Sequence, residues 1–195
     1  MFVKICGMTD EAAVEASVAA GADAVGFVFF HKSPRNLTPA AAATLASGLP
    51  DTVRKVAVML HPDGALWEEV QRALRPDILQ TDLADFACLD VDPAIEKWPV
   101  VRVGSLPGEL PDTFVYEGRM SGKGQSVDWE VAADIAKRGR MILAGGLNAL
   151  NVSDAIARVR PWGVDVSSAV ESAPGIKDAG RISEFVAAAK AVTRE

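Results

Sequence analysis

Two short runs in the last third of the chain combine strand-forming residues with residues that bind anions. They cover residues 142–148 and 164–171 and contain Gly145, Gly146, Asp165, Ser167 and Ser168. Glycine lets a backbone N–H approach an anion because no Cβ intervenes, and a following helix would add its positive dipole end. Asn148 is a good N-cap for such a helix. We therefore predict a substrate-phosphate cradle built from these residues, although Gly-Gly after a strand is equally typical of a simple tight turn.

A thiol and a carboxyl each follow an apolar run and are candidates for acid–base chemistry. Cys6 ends the first run, and Lys4 lies on the same side of the same strand. A nearby cation lowers the pKa of a thiol towards the thiolate, although a cysteine in an apolar strand is more often a core residue. Glu117 ends a later run, where a carboxylate is also commonly a capping or ion-paired group. We predict Cys6 and Glu117 as catalytic residues and Lys4 as a substrate-binding residue.

Further polar side chains follow other apolar runs. Arg35 lies in a polar loop after the second run, Gln80 ends the fourth and Arg102 lies in the fifth. Arginine pairs well with a carboxylate because its guanidinium can donate two parallel hydrogen bonds. We predict that Arg35 and Gln80 bind substrate, and the whole set suits a small anionic molecule.

The segments that carry these residues alternate between strand and helix patterns. Eight apolar runs are predicted strands, at residues 2–6, 24–30, 53–60, 77–80, 100–103, 113–116, 141–143 and 164–166. Helical patterns between them start at capping residues, among them Thr9, Thr38, Asp63 and Asp128. Strands that alternate with helices indicate a parallel sheet, and eight such units indicate a closed barrel, with function at the carboxyl ends of the strands.

We predict an α/β fold, a (β/α)8 TIM barrel that forms a single domain over residues 1–195. This length is slightly below the usual range for such barrels, so the connections must be short. Residues 105–111 contain two prolines and a glycine and cannot hold a regular helix. The fifth helix is therefore predicted to be missing or degenerate. Residues 81–98 indicate only one helical turn, near residues 83–87.

Composition and charge exclude several classes of protein. A net charge of −6 argues against nucleic-acid and anionic-membrane partners. The sequence has no apolar stretch of about 18 residues and no secretory pattern at its start. Cys6 and Cys88 do not make a disulfide framework, and His31 and His61 lack the spacing of a zinc site. We predict a cytoplasmic protein without a bound metal, whose partner is a small phosphorylated molecule. The oligomeric state, monomer or homodimer, stays open.

Five blocks of the sequence, in order along the chain, resemble the phosphoribosylanthranilate isomerase family. They are residues 4–9 (Lys-Ile-Cys-Gly-Met-Thr), 26–35, 122–129, 143–147 and 165–178. The resemblance implies a (β/α)8 barrel, a role in tryptophan biosynthesis, and no metal or organic cofactor. It also implies that Cys6 is the general base and that the general acid stands at the position of Glu117.

Three positions depart from the family pattern. Glu117 stands where the family has aspartate, which lengthens the reach of the carboxyl by one methylene. Gln80-Thr81-Asp82 stands where the family has Gln-Leu-His. An acidic side chain near the carboxylate of anthranilate would be unfavourable, so either Asp82 points away or the aromatic end is held differently. Ala169 replaces a glycine near the phosphate, which is a smaller change.

The predicted function is that of an N-(5'-phosphoribosyl)anthranilate isomerase, an aldose–ketose isomerase and thus an intramolecular oxidoreductase. Its Amadori rearrangement would give 1-(o-carboxyphenylamino)-1-deoxyribulose 5-phosphate. Ring opening needs a proton on the ring oxygen and enolamine formation needs removal of the C2′ proton, so one acid and one base suffice.

Two alternatives stay open. One is a weakened or non-catalytic barrel that only binds a phosphorylated metabolite. The other is a different phosphosugar isomerase or epimerase. An epimerase of the usual kind needs paired aspartates and metal-binding histidines at strand ends, which this sequence lacks.

Overall fold

Eight parallel strands close into a barrel in the computed structural model, which describes residues 1–118 and 127–192. The strands pair in sequence order and the last pairs with the first. They are β1 (Phe2–Cys6), β2 (Ala24–Phe29), β3 (Arg54–Met59), β4 (Ile78–Asp82), β5 (Glu96–Arg102), β6 (Thr113–Glu117), β7 (Arg140–Leu143) and β8 (Gly163–Val166). All eight predicted strands are therefore present, and the closed barrel is confirmed.

The connections between strands carry six α-helices within the described residues. They are α1 (Glu11–Ala19), α2 (Pro39–Ala46), α3 (Gly64–Leu74), α4 (Trp129–Ala136), α5 (Val152–Val159) and α6 (Ala179–Lys190). The described connection from β5 to β6 holds no helix, as its prolines predict. The connection from β4 to β5 holds only a short 3₁₀ helix, Leu83–Ala87, where one helical turn is predicted.

Local sequence signals account for most helix starts. The side chains of Thr38, Asp63 and Asp128 each accept a backbone N–H of the first turn that follows, as predicted. The predicted cap at Thr9 is wrong, because Asp10 caps α1 by accepting the N–H of Ala13. A carboxylate is the stronger acceptor at a helix N-terminus, and it also complements the helix dipole.

The sequence patterns miss the first part of β5 and the elements that follow β8. β5 starts four residues earlier than predicted, because Glu96, Lys97 and Pro99 look unlike a strand although they pair with β4. A small antiparallel hairpin, β9 (Glu171–Ala173) and β10 (Ile176–Lys177), follows β8. A 3₁₀ helix, Ser168–Val170, leads into that hairpin.

The core divides into two layers because side chains alternate across each strand. The barrel interior is filled by one apolar set, Ala24, Val56, Ile78, Trp98, Val100, Val115, Ile142 and Ala144. A larger set packs between the barrel and its helices. Trp98 is fully buried and lies edge-on to Phe2 and Trp162, with ring centroids 5.6 and 6.2 Å away. This aromatic cluster fills the end of the barrel opposite the carboxyl ends of the strands.

The described residues include no helix that is long and apolar enough to cross a membrane. Arg119 and Lys123, which the sequence places near the sixth strand, lie outside the described residues.

Replacing Trp98 by alanine is expected to lower the free energy of unfolding by about 3–5 kcal/mol, because a large cavity would open in the barrel interior. Urea unfolding followed by circular dichroism measures this value. Leu150→Ala is the control, since that side chain is 95% exposed, and it should change stability by less than about 0.5 kcal/mol. A Trp98→Ala protein as stable as the control would contradict the packing role of Trp98.

Candidate active site

A cavity of about 470 Å³ opens at the carboxyl ends of the strands. This volume suits a small organic molecule, for which pockets of about 300–1,000 Å³ are usual. Nine of the ten predicted site residues line it: Cys6, Arg35, Gln80, Glu117, Gly145, Gly146, Asp165, Ser167 and Ser168. The tenth, Lys4, is fully buried beneath the cavity. The barrel therefore brings together residues from six of its strands or the loops that follow them.

Lys4 and Asp165 form a buried ion pair at the seam between β1 and β8. Their Nζ and Oδ1 atoms are 2.9 Å apart. Burial alone would lower the pKa of Lys4, but Asp165 and Cys6 together raise it above its usual value. Burial raises the pKa of Asp165, and Lys4 opposes that change. Lys4 therefore remains a cation beneath the cavity.

Cys6 lies beside this pair and is itself buried. A Cβ added at Gly26 would be 3.1 Å from the Cys6 sulfur and 3.2 Å from the Lys4 nitrogen, so glycine leaves room for both groups. Burial raises the pKa of the Cys6 thiol above its ordinary value, and Lys4 and Lys177 offset this only in part. The expected lowering of this pKa by Lys4 is thus outweighed, because desolvation penalises the thiolate more than the cations stabilise it.

The carboxylate of Glu171, for which no role is predicted from the sequence, holds the side chain of Arg35. Its Nε and Nη2 donate to the two oxygens of Glu171 over 2.6 and 2.8 Å, and both side chains are buried. Lys177 donates to the same carboxylate over 2.8 Å, and these hydrogen bonds outweigh burial and lower the pKa of Glu171. A buried arginine needs such a partner, which is the one signal that could have pointed to Glu171.

The Gly-Gly turn after β7 has the backbone that glycine permits. Gly145 and Gly146 have φ values of 92° and 70°, in the left-handed region that other residues avoid. Among the described residues, no group accepts a hydrogen bond from the backbone N–H of either glycine. Both residues line the cavity, so the turn offers donors where an anion can reach them.

The predicted N-cap role of Asn148 is wrong. α5 begins at Val152 with Asn151 at its N-cap position. Asn148 Oδ1 instead accepts the backbone N–H groups of Leu150 and Asn151, over 2.9 and 3.1 Å. Asn151 Nδ2 donates to the carbonyl of Gly146 over 2.9 Å, which fixes the glycine turn. The two asparagines therefore shape the loop from the cavity to the helix.

Two further predicted binding residues, Ser167 and Gln80, differ in whether a hydrogen-bonding atom remains available for a ligand. Ser167 Oγ donates to the carbonyl of Cys6 over 3.0 Å, so it ties the ends of β1 and β8 together. Gln80 is buried, and its Oε1 has no hydrogen-bond partner among the described residues. A buried amide oxygen that lines a cavity without a partner is an acceptor for a bound molecule.

Three charged side chains follow one another at the ends of β4, β5 and β6. Arg102 Nη1 is 2.5 Å from Asp82 Oδ1, and Arg102 Nη2 is 3.2 Å from Glu117 Oε1. His61 Nε2 lies 3.6 Å from the other oxygen of Asp82. Asp82 is not among the described residues that line the cavity, whereas Arg102 and Glu117 are.

Within residues 1–118 and 127–192, no three His, Cys, Asp or Glu side chains are grouped as metal ligands would be.

The sequence matches a family model described as N-(5'phosphoribosyl)anthranilate (PRA) isomerase over residues 3–188. The chain belongs to this family. A curated N-(5'-phosphoribosyl)anthranilate isomerase from Thiobacillus denitrificans is 41% identical, over 97% of this chain and 98% of its own. The crystal structure of TrpF from Jonesia denitrificans is 34% identical, covers 97% of both chains and has a TM-score of 0.83.

A further solved structure is similar along its whole length. It is a phosphoribosyl anthranilate isomerase in complex with reduced 1-(o-carboxyphenylamino)-1-deoxyribulose 5-phosphate. It is 31% identical, has a TM-score of 0.80, and covers 98% of this chain and 100% of that one. Membership confirms the family resemblance, the (β/α)8 barrel, and an isomerase of tryptophan biosynthesis.

The Cys6 thiol is expected to ionise at a higher pH than an exposed cysteine, because burial disfavours the thiolate. In a Cys88→Ser variant, thiolate absorbance near 240 nm against pH reports Cys6 alone. The same variant unfolded in urea provides the midpoint of a solvated thiol for comparison. A folded-state Cys6 midpoint at or below that of the unfolded protein would contradict this reading of its surroundings.

Proposed function

We propose that this isomerase uses Cys6 as general base and Glu117 as general acid on N-(5'-phosphoribosyl)anthranilate. The observation that carries this assignment is that the thiol and the carboxyl line one cavity, from β1 and β6. Around the barrel, the ends of β7 and β8 lie between them. Those ends contain the glycine turn and Ser168, so a phosphate bound there would lie between the base and the acid.

The reaction then needs two proton transfers from this pair. Glu117 gives its proton to the furanose ring oxygen as the C1′–O bond breaks, and the nitrogen lone pair forms the C=N bond of an open-chain iminium ion. Cys6, as thiolate, removes the proton from C2′, and the electron pair of that C–H bond moves to form the enolamine. Tautomerisation of the enol at C2′ gives the ketone. Burial leaves little thiolate at neutral pH, but a thiolate of higher pKa is the stronger base.

The rest of the cavity is proposed to bind the two ends of the substrate. The N–H groups of Gly145 and Gly146, with Ser168, would bind the phosphate. Arg35 remains the proposed partner of the anthranilate carboxylate, with Glu171 fixing the plane of its guanidinium. Its Nη1 makes no hydrogen bond to a described residue and is the nitrogen left for that contact. Gln80 Oε1 would accept from a hydroxyl or the amine of the substrate.

We also propose that the protein works in the cytoplasm and without a nucleic-acid partner. Both cysteines are unpaired, which is usual for reduced compartments. The net charge of −6 disfavours the approach of a polyanion.

Removing either member of the acid–base pair is expected to reduce kcat by about 10² or more, the usual worth of such a group. Cys6→Ala and Glu117→Gln are the variants, with substrate fluorescence followed over time. KM should change little, because neither group is proposed to hold the substrate. Glu117→Asp should retain activity, since it keeps the acid and restores the residue of the family pattern.

Cys88→Ala and Glu184→Gln make the same chemical changes at exposed positions and should leave kcat unchanged. Wild-type kcat in Cys6→Ala or in Glu117→Gln would refute the corresponding assignment. Substrate binding without turnover in the unmodified protein would favour the weakened barrel.

Gly146→Ala is expected to raise KM about tenfold or more with little change in kcat, because a Cβ would intrude where the backbone approaches the phosphate. Inorganic phosphate should inhibit the unmodified enzyme competitively and the variant far less. Gly48→Ala is the control, since a Cβ there meets only open space. Equal KM and equal phosphate inhibition in Gly146→Ala would mean that the cradle lies elsewhere.

A further inference from the structure

The two charged departures from the family pattern, Asp82 and Glu117, meet on one arginine. Asp82 ends β4, Arg102 ends β5 and Glu117 ends β6, so the three side chains come from consecutive strands. Arg102 and Glu117 are register partners in the β5–β6 ladder. The positions are far apart in sequence, and only closure of the parallel sheet makes them neighbours.

The geometry of this row favours Asp82 over Glu117 as the partner of the arginine. The Arg102–Asp82 contact is 2.5 Å and the Arg102–Glu117 contact is 3.2 Å. All three side chains are less than one-fifth exposed, so water screens these interactions only partly. Of the two carboxyl groups, that of Asp82 therefore lies closer to the charge of Arg102.

The charge balance of the row bears directly on the protonation of Glu117. An arginine that faced Glu117 alone would stabilise its carboxylate and oppose its action as a proton donor. With Asp82 present, the row of described residues Asp82, Arg102 and Glu117 holds one cation and two carboxyl groups. Protonation of Glu117 then leaves a neutral Asp82–Arg102 pair, whereas its ionisation leaves a net negative charge.

We propose that Asp82 is a positioning residue that engages Arg102 and thereby keeps Glu117 available as a proton donor. The proposal rests on the proposed role of Glu117 as general acid. Asp82 acts through Arg102 and not on the substrate, in keeping with its position outside the cavity lining.

The other charged groups around Glu117 come from several elements. On the far side of Asp82 lie His61 and Asp85, joined through Nδ1 and Oδ1 over 3.0 Å. Asp85 raises the pKa of His61, which favours the protonated, positively charged imidazole next to Asp82. The end of β7, on the other flank of Glu117, contributes the uncharged Ala144 and Gly145. Among the described residues, the charged or titratable groups that line the cavity with Glu117 are Cys6, Lys32, Arg35, Arg102 and Asp165.

The test variant removes the negative charge of Asp82 and keeps the size of its side chain. In Asp82→Asn the side chain keeps its size, but its negative charge no longer lies beside Arg102. We expect kcat at pH 8 to fall about tenfold and KM to change less than about twofold, since a one-unit shift in ionisation is a tenfold change. Asp82→Glu, which restores the charge, should recover most of kcat.

A direct titration separates this role from a merely structural one. Protein labelled with ¹³C at glutamate side-chain carboxyls gives one resonance that disappears in Glu117→Gln, which assigns Glu117. The midpoint of that resonance against pH should move lower by about one unit in Asp82→Asn. Asp90→Asn makes the same change at an exposed position in the same connection and should leave the midpoint and kcat unchanged.

The outcomes distinguish this inference from the proposed function. An unchanged midpoint and kcat in Asp82→Asn, with Glu117→Gln inactive, would overturn the role of Asp82 and leave the acid assignment standing. Wild-type kcat in Glu117→Gln would overturn the acid assignment, and the role of Asp82 with it. A lower midpoint together with lower kcat in Asp82→Asn, rescued by Asp82→Glu, would support the proposal.

Discussion

The ion pair between Lys4 and Asp165 joins the first and last strands of the barrel beside Cys6. The two residues are register partners in the β1–β8 ladder, and their side chains meet over 2.9 Å in the buried interior. Loss of one partner from such a pair costs about 3–5 kcal/mol, because the other charge is left buried alone. Cys6 and Ser167 each follow one member of the pair by two residues and are hydrogen-bonded to each other. The contacts that close the barrel between β1 and β8 therefore also position Cys6.

A second set of buried charges fixes the loops at the mouth of the cavity, beside the junction of β1 and β8. Glu171 accepts from Arg35, of the loop after β2, and from Lys177 of β10. Its backbone carbonyl also accepts from Arg181 of α6. Gly7 has a φ of 86°, and a Cβ there would collide with the Arg35 side chain, so the loop after β1 packs against the same cluster. Glu171 therefore links the loop after β2 to β10 and α6, and Arg35 links the loop after β1 to the same cluster.

The sequence predicts the scaffold well and the pairings within the site poorly. Alternating apolar runs and capping residues are local signals, and they locate all eight strands and the missing helix after β5. The contacts of Arg35 with Glu171 and of Arg102 with Asp82 join segments far apart in the chain, so no spacing or periodicity marks them. The pKa of Cys6 is likewise set by burial, which depends on the whole barrel and not on the neighbouring Lys4 alone.

The described cations beside the cavity are largely matched by carboxylates from the protein itself. Lys4 pairs with Asp165, Arg35 with Glu171, and Arg102 with Asp82 and Glu117. A phosphate could be bound by unmatched cations, but these would also stabilise the ionised form of a nearby acid. Backbone N–H groups of a glycine turn bind the same anion through partial charges and exert a weaker, shorter-range field. A site that must bind a phosphate and keep one carboxyl protonated meets both requirements when its cations are already paired.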